Sequence, residues 1–422
     1  MALGVVVGLA LRAFAGDLSA PAPGSWLAPF VLAADIFLRL LKLLIVPLIL
    51  TSIVTGISGL GGGRDFGRLG GKTLAWYLTT SVLAILLGLG VVNLFQPGTG
   101  ADLGLEIPEA FEPGAGSTFG EVLGNMVPPN AFAALADNSK MLQVIIFAIL
   151  LGFFAARTPA PHGPRIREFF ESAFEVIMRL AGWVMSLVPY GVFALMVKVV
   201  GQTGLEVFKP LALFMGIVAV TLTVHATVTL PLLLRVLGRI NPRRWAGAMS
   251  PALVTAFTTS SSAMTLPVTL ECAEKRGGVS NRNASFVLPL GATVNMDGTA
   301  LYECVGVLFL SQYYASHSPA FELTLGMQFF VVVTALLASI GAAGIPSAGL
   351  VLKAMILKSL GLPDDGVLLL LAVDRPLDMM RTAVNVWSDS CGAAVIAKSE
   401  GDAVLAEVST GPPGPSGRPP DR

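Results

Sequence analysis

The stretch "TVNMDGTALYEC", residues 293–304, lies in the apolar second half of the chain. It carries Asn295, Asp297, Thr299 and Glu303 in a segment that otherwise has the composition of a membrane span. In isolation "NMDG" is typical of a turn, because Asp-Gly is a common turn pair. Ionisable side chains are costly in hydrocarbon, however, and there they usually mark a site or a pathway. The surrounding sequence therefore decides between a plain turn and a functional break in a membrane helix.

The composition indicates a polytopic membrane protein. Of 422 residues, 54% are hydrophobic and 13% are charged, and the mean hydropathy is +0.75. Soluble domains carry about 25% charged residues. The formal net charge is zero, so bulk charge indicates no nucleic-acid partner. The three cysteines have no ligand or disulfide spacing and are expected to be packed thiols. The N-terminal "MALGVVVGLALRAF" is interpreted as an uncleaved first helix.

Apolar runs of spanning length fill the first part of the chain, since a helical span needs about 20 mostly apolar residues. Basic residues cluster in alternate loops, at 64–72, 157–167 and 235–244, whereas 98–139 contains neither Lys nor Arg. The positive-inside rule then places these basic loops and both termini in the cytoplasm. The six predicted spans are roughly 2–15, 27–60, 73–96, 126–156, 168–200 and 205–238.

After residue 245 the apolar stretches are interrupted by polar runs of small residues. Non-helical backbone at membrane depth is tolerated only where protein or a water-filled cavity covers it. We therefore expect re-entrant helical hairpins over 245–275 and 325–357, a broken spanning helix over 283–315, and a last span over 366–398. The runs "TTSSS" and "SIGAAGIPSAG" place the hairpin tips at 259–263 and 341–347.

Two hairpin-plus-helix units in sequence predict an internal repeat with a transport site near the bilayer midplane. The predicted fold is an all-α polytopic membrane protein with eight transmembrane helices and two re-entrant helical hairpins, arranged as inverted repeats.

The last span carries "DRPLDMMRTAVNVWSD", residues 374–389. Its polar positions are spaced by 4, 3, 4 and 4 residues and fall on one helix face. A plain interpretation is internal ion pairing, such as Asp378 with Arg381, but buried charges in a membrane usually line a site. Arg381 has the planar fork that suits a carboxylate, and Asp378 suits an ammonium. With Asn385 as a further donor, this face would accept a zwitterion with an acidic side chain. The face consists of Asp374, Asp378, Arg381, Asn385 and Asp389.

The opening stretch supplies oxygen ligands. Asn295 and Asp297 are two residues apart, so only an unwound segment would point both inward. Hard cations prefer carboxylate, carbonyl and hydroxyl oxygens, and Asp297 and Asp389 are the candidate carboxylates. Helix N-termini at the serine tip can bind a carboxylate, and the second tip can either expose carbonyls to an ion or simply pack small residues. Glu303 can carry a proton or stay permanently neutral and hydrogen-bonded.

Four motifs together resemble the dicarboxylate/amino acid:cation symporter family, which includes the excitatory amino acid transporters. They are "SSSAMTLPVT" (260–269), "LPLGATVNMDGTALYE" (288–303), "SIGAAGIPSAGL" (339–350) and "DMMRTAVNVWSD" (378–389). The resemblance implies a transporter and not an enzyme, which forms a homotrimer in the cell membrane and contacts lipid. It also implies an elevator mechanism, in which a mobile transport domain moves against a scaffold. The implied domains are 1–72 as mainly scaffold, 73–97 as third helix of the transport domain, 126–242 as scaffold and support, 243–400 as transport core and 401–422 as a disordered cytoplasmic tail.

The resemblance also implies roles for individual residues. Arg381 and Thr299 would bind the side-chain carboxylate of the substrate, and Asp378 would bind its amino group. Asn385 and Ser262 would bind the main carboxylate. The other implied substrate-binding residues are Thr382, Ala343 and Gly344. A first sodium site would use Gly291, Asn295, Asn385 and Asp389. A second would use Thr293, Met296, Ser339, Ile340 and Ala342. A third would use Asp297 and Asn295 with Tyr77, Thr80 and Ser81 of "YLTTS".

Three positions are informative within the family. Arg381 favours glutamate or aspartate over neutral amino acids, and Glu303 favours proton coupling in addition to sodium, with potassium countertransport left open. A second arginine that many members carry near the site is absent, because its two usual positions are Ser260 and Met379. Arg375 is a candidate substitute.

Three alternative functions stay open at this point. A proton-coupled C4-dicarboxylate symporter is the nearest, although it has no amino group for Asp378 to bind. An anion channel would pass current without saturable, cation-dependent uptake. An intramembrane hydrolase using the serines at 260–262 would need a base within hydrogen-bond reach, and no histidine stands near them in the sequence.

Overall fold

The computed structural model describes residues 2–15, 26–58, 64–105, 127–137, 140–340, 348–363 and 366–405, together with 107 and 124. Every regular element within these residues is helical. The helices are α1 (Ala2–Ala15), α2 (Ala28–Ser58), α3 (Arg64–Phe95), α4 (Ala131–Leu135), α5 (Met141–Arg157), α6 (His162–Ser186), α7 (Val188–Thr203), α8 (Phe208–Val224), α9 (Leu230–Gly238), α10 (Pro242–Thr259), α11 (Ser262–Glu271), α12 (Asn281–Val294), α13 (Asp297–His317), α14 (Leu325–Ile340), α15 (Ala348–Ser359) and α16 (Gly366–Ser399). A π-helical turn, His225–Thr229, joins α8 to α9, and another, Cys272–Arg276, follows α11.

The long helices have the size and composition of membrane spans. Among the described residues, Ala28–Ser58, Arg68–Phe95 and Phe208–Gly238 are each long and apolar enough to cross a membrane. The pair α6 and α7 meets the same criterion as one span bent by 47°. Large apolar side chains such as Val220 and Leu232 are exposed on these helices, where lipid would cover them. The chain is therefore a helical membrane protein.

The helices pack mainly in two groups. Helices α1, α2, α5, α6 and α7 contact one another, and α3 with α8 to α16 forms the second group. Helix α13 lies at the centre of the second group, because every residue from Asp297 to Tyr314 is buried. Helices α3, α14, α15 and α16 all pack against α13. This arrangement places the opening stretch of sequence in the middle of the protein.

Two of the predicted helix breaks lie in the described residues. Ser260 ends α10 in the left-handed region with φ of 54°, and the Ser261 hydroxyl caps α11 by accepting a hydrogen bond from the Met264 N–H. Between α12 and α13 only Asn295 and Met296 leave the helix, so this break is shorter than the polar run around it. Helices α14 and α15 are the two arms of the second predicted hairpin, and its tip at 341–347 lies outside the described residues.

Two predicted spans differ in extent from the observed helices. The span predicted over 126–156 holds two helices, the short α4 (Ala131–Leu135) and then α5, which begins at Met141. The span predicted over 168–200 is two helices that meet at Leu187. Pro189 occupies the first turn of α7 and has no N–H to continue the hydrogen bonding of α6, which accounts for the bend.

The first residues after α16 pack against the rest of the protein. In residues 401–405, which were predicted to begin a disordered tail, the Leu405 N–H donates to the Gly277 carbonyl at 2.9 Å. Just before them, Glu400 accepts a hydrogen bond of 2.6 Å from Lys72, which lowers the pKa of the Glu400 carboxyl. The end of α16 is thus tied to α3 and to the turn that follows α11.

Candidate functional site

Arg381 lies at the centre of a buried polar cluster on α16. Its guanidinium is 2% exposed, and Nη2 donates to Asp378 Oδ1 at 2.5 Å and to Asp374 Oδ1 at 3.4 Å. The guanidinium carbon also lies 4.1 Å from the ring centroid of Tyr302 on α13. Among the described residues, Nε and Nη1 have no hydrogen-bond partner. Since unpaired buried donors are costly, these two nitrogens are suited to a ligand that brings its own acceptors.

Gly349 brings the second hairpin arm against this cluster. A Cβ atom at Gly349 would lie 2.7 Å from Arg381 Nη1 and 3.6 Å from Thr299 Cγ2. Any larger residue at this point of α15 would therefore displace the guanidinium. Thr299 itself accepts a hydrogen bond of 3.3 Å from Asn385 Nδ2, and Asn385 Oδ1 accepts from the Gly298 N–H at 2.8 Å. Arg381 and Asn385 of α16, Thr299 of α13 and Gly349 of α15 thus form one site from three helices.

A second polar cluster surrounds Asp297 at the first turn of α13. Asp297 Oδ1 accepts from Ser81 Oγ at 2.7 Å and from Thr80 Oγ1 at 3.1 Å. Thr80 Oγ1 also lies 3.4 Å from Asn295 Oδ1. The other carboxylate oxygen, Oδ2, lies 3.2 Å from His225 Nε2, and all five of these side chains are buried. The short break before α13 therefore does turn Asn295 and Asp297 toward one group of oxygens on α3.

A third cluster adjoins the second and is built around Asp389. Its Oδ1 accepts a hydrogen bond of 2.8 Å from Asn295 Nδ2. A Cβ at Gly291 would lie 2.5 Å from Asp389 Oδ1 and 2.9 Å from Tyr77 Oη, so the carboxylate rests on the bare Cα of Gly291. Tyr77 Oη in turn donates to the Val287 carbonyl at 2.6 Å. Asn295 belongs to both clusters and links them.

These two clusters offer mainly neutral oxygens with few charges. In the described part of the chain no group of three or more His, Cys, Asp or Glu is placed to hold a metal ion. The two clusters contain one imidazole, that of His225, and two carboxylates, which is fewer such ligands than transition metals or calcium usually take. Hydroxyl, amide and single carboxylate oxygens of this kind fit a singly charged hard cation.

The structure places the remaining predicted residues as follows. The hydroxyls of Thr293 and Ser339 donate to carbonyls in their own helices, at 3.0 Å and 2.8 Å, so their backbone is what they offer a ligand. Ser262 starts α11 and is buried, as is Thr382 beside Arg381. Met296 is buried between α12 and α13, and Ile340 is the last residue of α14. The predicted ligands that lie outside the described residues are Ala342, Ala343 and Gly344.

Glu303 is fully buried on α13, one turn after Thr299. Neither of its carboxyl oxygens has a hydrogen-bond partner among the described residues. The sequence left open that Glu303 is permanently neutral and hydrogen-bonded. The described residues offer no acceptor for the proton of such a carboxyl group.

Sequence reasoning assigned no role to two residues of the site, His225 and Lys353, and could not place Arg375, the candidate substitute for a second arginine. His225 contacts Asp297, Lys353 lies on α15 with no exposed surface, and Arg375 Nη1 lies 3.9 Å from Asp378 Oδ2 at the more exposed end of the cluster. His225 and Lys353 carried a usable signal, because each is an ionisable residue in an otherwise apolar helix.

The comparisons with known proteins agree with this geometry. Residues 1–399 match the sodium:dicarboxylate symporter family model. The chain is 33% identical to excitatory amino acid transporter 3 of Mus musculus, over 87% of this chain and 79% of that protein. It is 34% identical to excitatory amino acid transporter 2 of Rattus norvegicus, over 95% of this chain and 78% of that protein. By this match over nearly the whole chain, the protein belongs to the sodium:dicarboxylate symporter family, a family of transporters.

Proposed function

We propose that the protein is a secondary active symporter that takes up L-glutamate or L-aspartate with sodium and protons. The observation that carries this proposal is the buried Arg381, which has two unpartnered nitrogens and lies among Asp378, Thr299 and Asn385. The names of the relatives support acidic amino acids as the substrate class and their family supports sodium as the driving ion.

The substrate would use the groups around Arg381. Its side-chain carboxylate would bind the guanidinium and Thr299, and its ammonium would bind Asp378 in place of part of the Arg381 contact. Asn385 and Ser262, with the tip residues Ala343 and Gly344 and the neighbouring Thr382, would hold the main carboxylate. The helix N-terminus at Ser262 adds N–H donors for this anion.

Sodium would enter as transported cargo at the two oxygen clusters. Asp389, Gly291, Asn295 and Asn385 would form one site, and Asp297 with Asn295, Thr80 and Ser81 another. Tyr77, which the sequence assigned to the Asp297 site, would instead adjoin the Asp389 site, because its hydroxyl lies beside Gly291 and Asp389. Backbone of Thr293, Met296, Ser339, Ile340 and Ala342 would form a third.

The Asn295–Met296 break supports coupling between ions and substrate. A cation held by Asp297 and Asn295 fixes the first turn of α13, which also carries Gly298 and Thr299 in contact with Asn385. Coupling of this kind is reciprocal, so substrate should tighten sodium binding by the same factor.

Glu303 is the proposed proton carrier. A carboxylate in a site of low dielectric favours its neutral form, and access to water on either side would let it load and release a proton. Potassium countertransport is the alternative for the return step.

The architecture we propose is a homotrimeric elevator of eight transmembrane helices and two re-entrant hairpins, with both termini in the cytoplasm. The division into a group of α1, α2, α5, α6 and α7 and a group around α13 supports a scaffold and a mobile domain. The basic loops at 157–167 and 235–244 support the orientation.

Uptake into proteoliposomes tests the proposal. Labelled aspartate, glutamate and alanine are offered under separately imposed sodium, proton and potassium gradients. We expect saturable aspartate and glutamate uptake that needs external sodium and rises with an inward proton gradient. Uptake that ignores sodium would refute the cation assignment, and equal uptake of alanine would refute the role of Arg381.

A C4-dicarboxylate is the second candidate substrate, and one observation favours it. Asp378 lies 2.5 Å from Arg381 and 3.9 Å from Arg375. Two positive charges therefore already compensate the Asp378 carboxylate, which the ammonium group of an amino acid substrate would otherwise bind. Succinate would compete with labelled aspartate in that case, and Asp378→Asn would spare succinate uptake while abolishing aspartate uptake. Succinate that fails to compete would exclude this candidate.

A further inference from the structure

Lys353 is a second buried cation in the cluster, and neither the substrate groups nor the cation ligands proposed above include it. It lies on α15, in the arm "AGLVLKAMILKS", and has 0% of its surface exposed. Nζ donates to the Gly349 carbonyl at 2.8 Å and lies 3.4 Å from the ring centroid of Tyr302. A lysine at membrane depth is costly, so an ammonium held here needs a charged partner or a function.

The neighbouring helix is shaped to accept this side chain. A Cβ at Gly306 on α13 would lie 2.5 Å from Lys353 Cδ and 3.3 Å from Cε. The stem of the lysine therefore lies directly on the backbone of α13 where the sequence provides a glycine. Glu303 precedes Gly306 by three residues, which places both on the same side of the helix.

Lys353 has spare hydrogen-bond donors, and Glu303 has spare acceptors. An ammonium has three N–H donors, of which the Gly349 carbonyl takes one. Both carboxyl oxygens of Glu303 are without a partner among the described residues. Among the described residues, Lys353 and Arg381 are positive charges near Glu303, and Asp374, Asp378 and Glu303 are negative charges near Lys353. Buried charges of opposite sign at such a site are stable only when they are paired.

The charges of the cluster show what Lys353 changes. Arg381, Lys353 and the half-exposed Arg375 beside Asp378 are positive and Asp374 and Asp378 are negative, so the cluster carries one net positive charge when Glu303 is protonated. When the proton and the substrate have left, ionised Glu303 makes the cluster neutral. Without Lys353 the same empty state would carry one net negative charge, and a cation from solution would be required to compensate it in a site of low dielectric.

We propose that Lys353 is a resident counter-cation, which pairs with ionised Glu303 after substrate and proton have left and so lets the empty carrier return without a cation from solution. The pair would also hold α15 against α13. This inference rests on the proposed symport function. Within the described residues the contacts of Lys353 Nζ are to the Gly349 carbonyl and the Tyr302 ring and not to Arg381, Thr299, Asp378 or Asn385, so loaded states should need it less than the empty state does.

The test separates the two halves of the transport cycle. Exchange, measured as entry of labelled aspartate into liposomes that hold unlabelled aspartate, uses only loaded states. Net uptake into liposomes without aspartate also needs the empty carrier to return. Each is measured with internal potassium and with internal choline for the parent chain, for Lys353→Met and for Lys358→Met, which removes an exposed lysine from the same helix.

We expect net uptake by the parent chain and by Lys358→Met to be the same with internal potassium and choline. In Lys353→Met, net uptake with internal choline should fall by about tenfold or more, which is about 1.4 kcal/mol on the return barrier. Exchange should stay within about twofold of the parent value, and internal potassium should restore part of the net uptake, because a free cation can then occupy the site. Lys353→Arg, which keeps the charge, should retain net uptake.

Several results would overturn the inference. They are full net uptake by Lys353→Met in choline, equal loss of exchange and net uptake in that variant, or a parent chain that needs internal potassium. If Lys353→Met cannot be purified, Gly306→Ala probes the same contact, because its Cβ displaces the lysine stem. That variant should lose net uptake and keep exchange, and unchanged net uptake would count against the pair. A parent chain with neither exchange nor net uptake would instead overturn the proposed symport function.

Discussion

Replacing Gly291 by alanine is a direct test of the cation site around Asp389. Gly291 lies in the last turn of α12, and the Asp389 carboxylate rests on its Cα. The substitution leaves every proposed ligand in the chain. It adds one methyl group at the point where Asp389 and Tyr77 meet, so its effect reports on geometry rather than on the loss of a charge.

The size of the effect follows from the distances. The new Cβ would lie 2.5 Å from Asp389 Oδ1, whereas ordinary contact begins at 3.4 Å, so the oxygen must retreat by the difference, about 0.9 Å. Metal–ligand distances are held to within about 0.2 Å in working sites. Displacing groups that orient a ligand typically costs about 10–100-fold in metal affinity. Retreat also breaks the 2.8 Å hydrogen bond from Asn295.

The assay is the sodium dependence of aspartate binding by purified protein. We expect the half-saturating sodium concentration to rise by at least about tenfold in Gly291→Ala, which corresponds to about 1.4 kcal/mol. Aspartate affinity at saturating sodium should change much less. Alanine is the better helix former by about 1 kcal/mol, so loss of the fold is not the expected cause. The matched control is Gly90→Ala in α3, where a new Cβ meets nothing within 4 Å.

A sodium titration of Gly291→Ala that overlaps that of the parent chain would refute this reasoning. Asp389 would then move freely without affecting the ion, and it could not be a ligand held in place by Gly291. A shift of equal size in Gly90→Ala would show that the effect comes from helix stiffness and not from the contact.

Three further predictions concern other parts of the site and of the fold. Arg381→Cys should abolish aspartate uptake and permit neutral amino acids, because the buried cation for the side-chain carboxylate is gone; competition assays with alanine and serine measure this, and unchanged aspartate affinity contradicts it. Glu303→Gln should flatten the pH dependence of net uptake and spare exchange, and a pH profile that persists would place the proton elsewhere. Glu400 is stabilised in its charged form by Lys72, so its contribution to stability is present at neutral pH and is lost as the pH falls below the ordinary glutamic acid pKa of about 4.3. Glu400→Gln should therefore lower the melting temperature at neutral pH but not at acid pH, and an equal loss at both would contradict the ion pair.

The parts of the structure that the sequence predicted well are those governed by local rules. The break at Ser260 and Ser261 follows from a serine run between apolar arms, and its geometry is a left-handed residue followed by a cap. The polar face of α16 follows from helical periodicity, and all five of its predicted members are buried. Composition and span length were likewise enough to indicate a helical membrane protein.

The parts that were missed depend on which helices meet. His225 lies in the π-helical turn after α8, and its contact with Asp297 joins residues 72 positions apart. Periodicity orders side chains around one helix but does not choose the neighbouring helix. Lys353 was missed for the same reason, since only the packing of α15 on α13 shows the glycine that accepts it. Arg375 could not be placed by its spacing, and the structure puts it beside Asp378.

Helix α13 connects the proposed functions over a short distance. Asp297, Thr299 and Glu303 fall within its first two turns, about 9 Å along the axis at 1.5 Å per residue. Every residue in this stretch is buried against other helices, so these turns can shift only together with their neighbours. A cation at Asp297, a substrate at Thr299 and a proton at Glu303 would then act on one helix, which begins directly after the two-residue break at Asn295 and Met296. Ion and substrate binding need no long relay in this geometry, because each biases the position of the same helix.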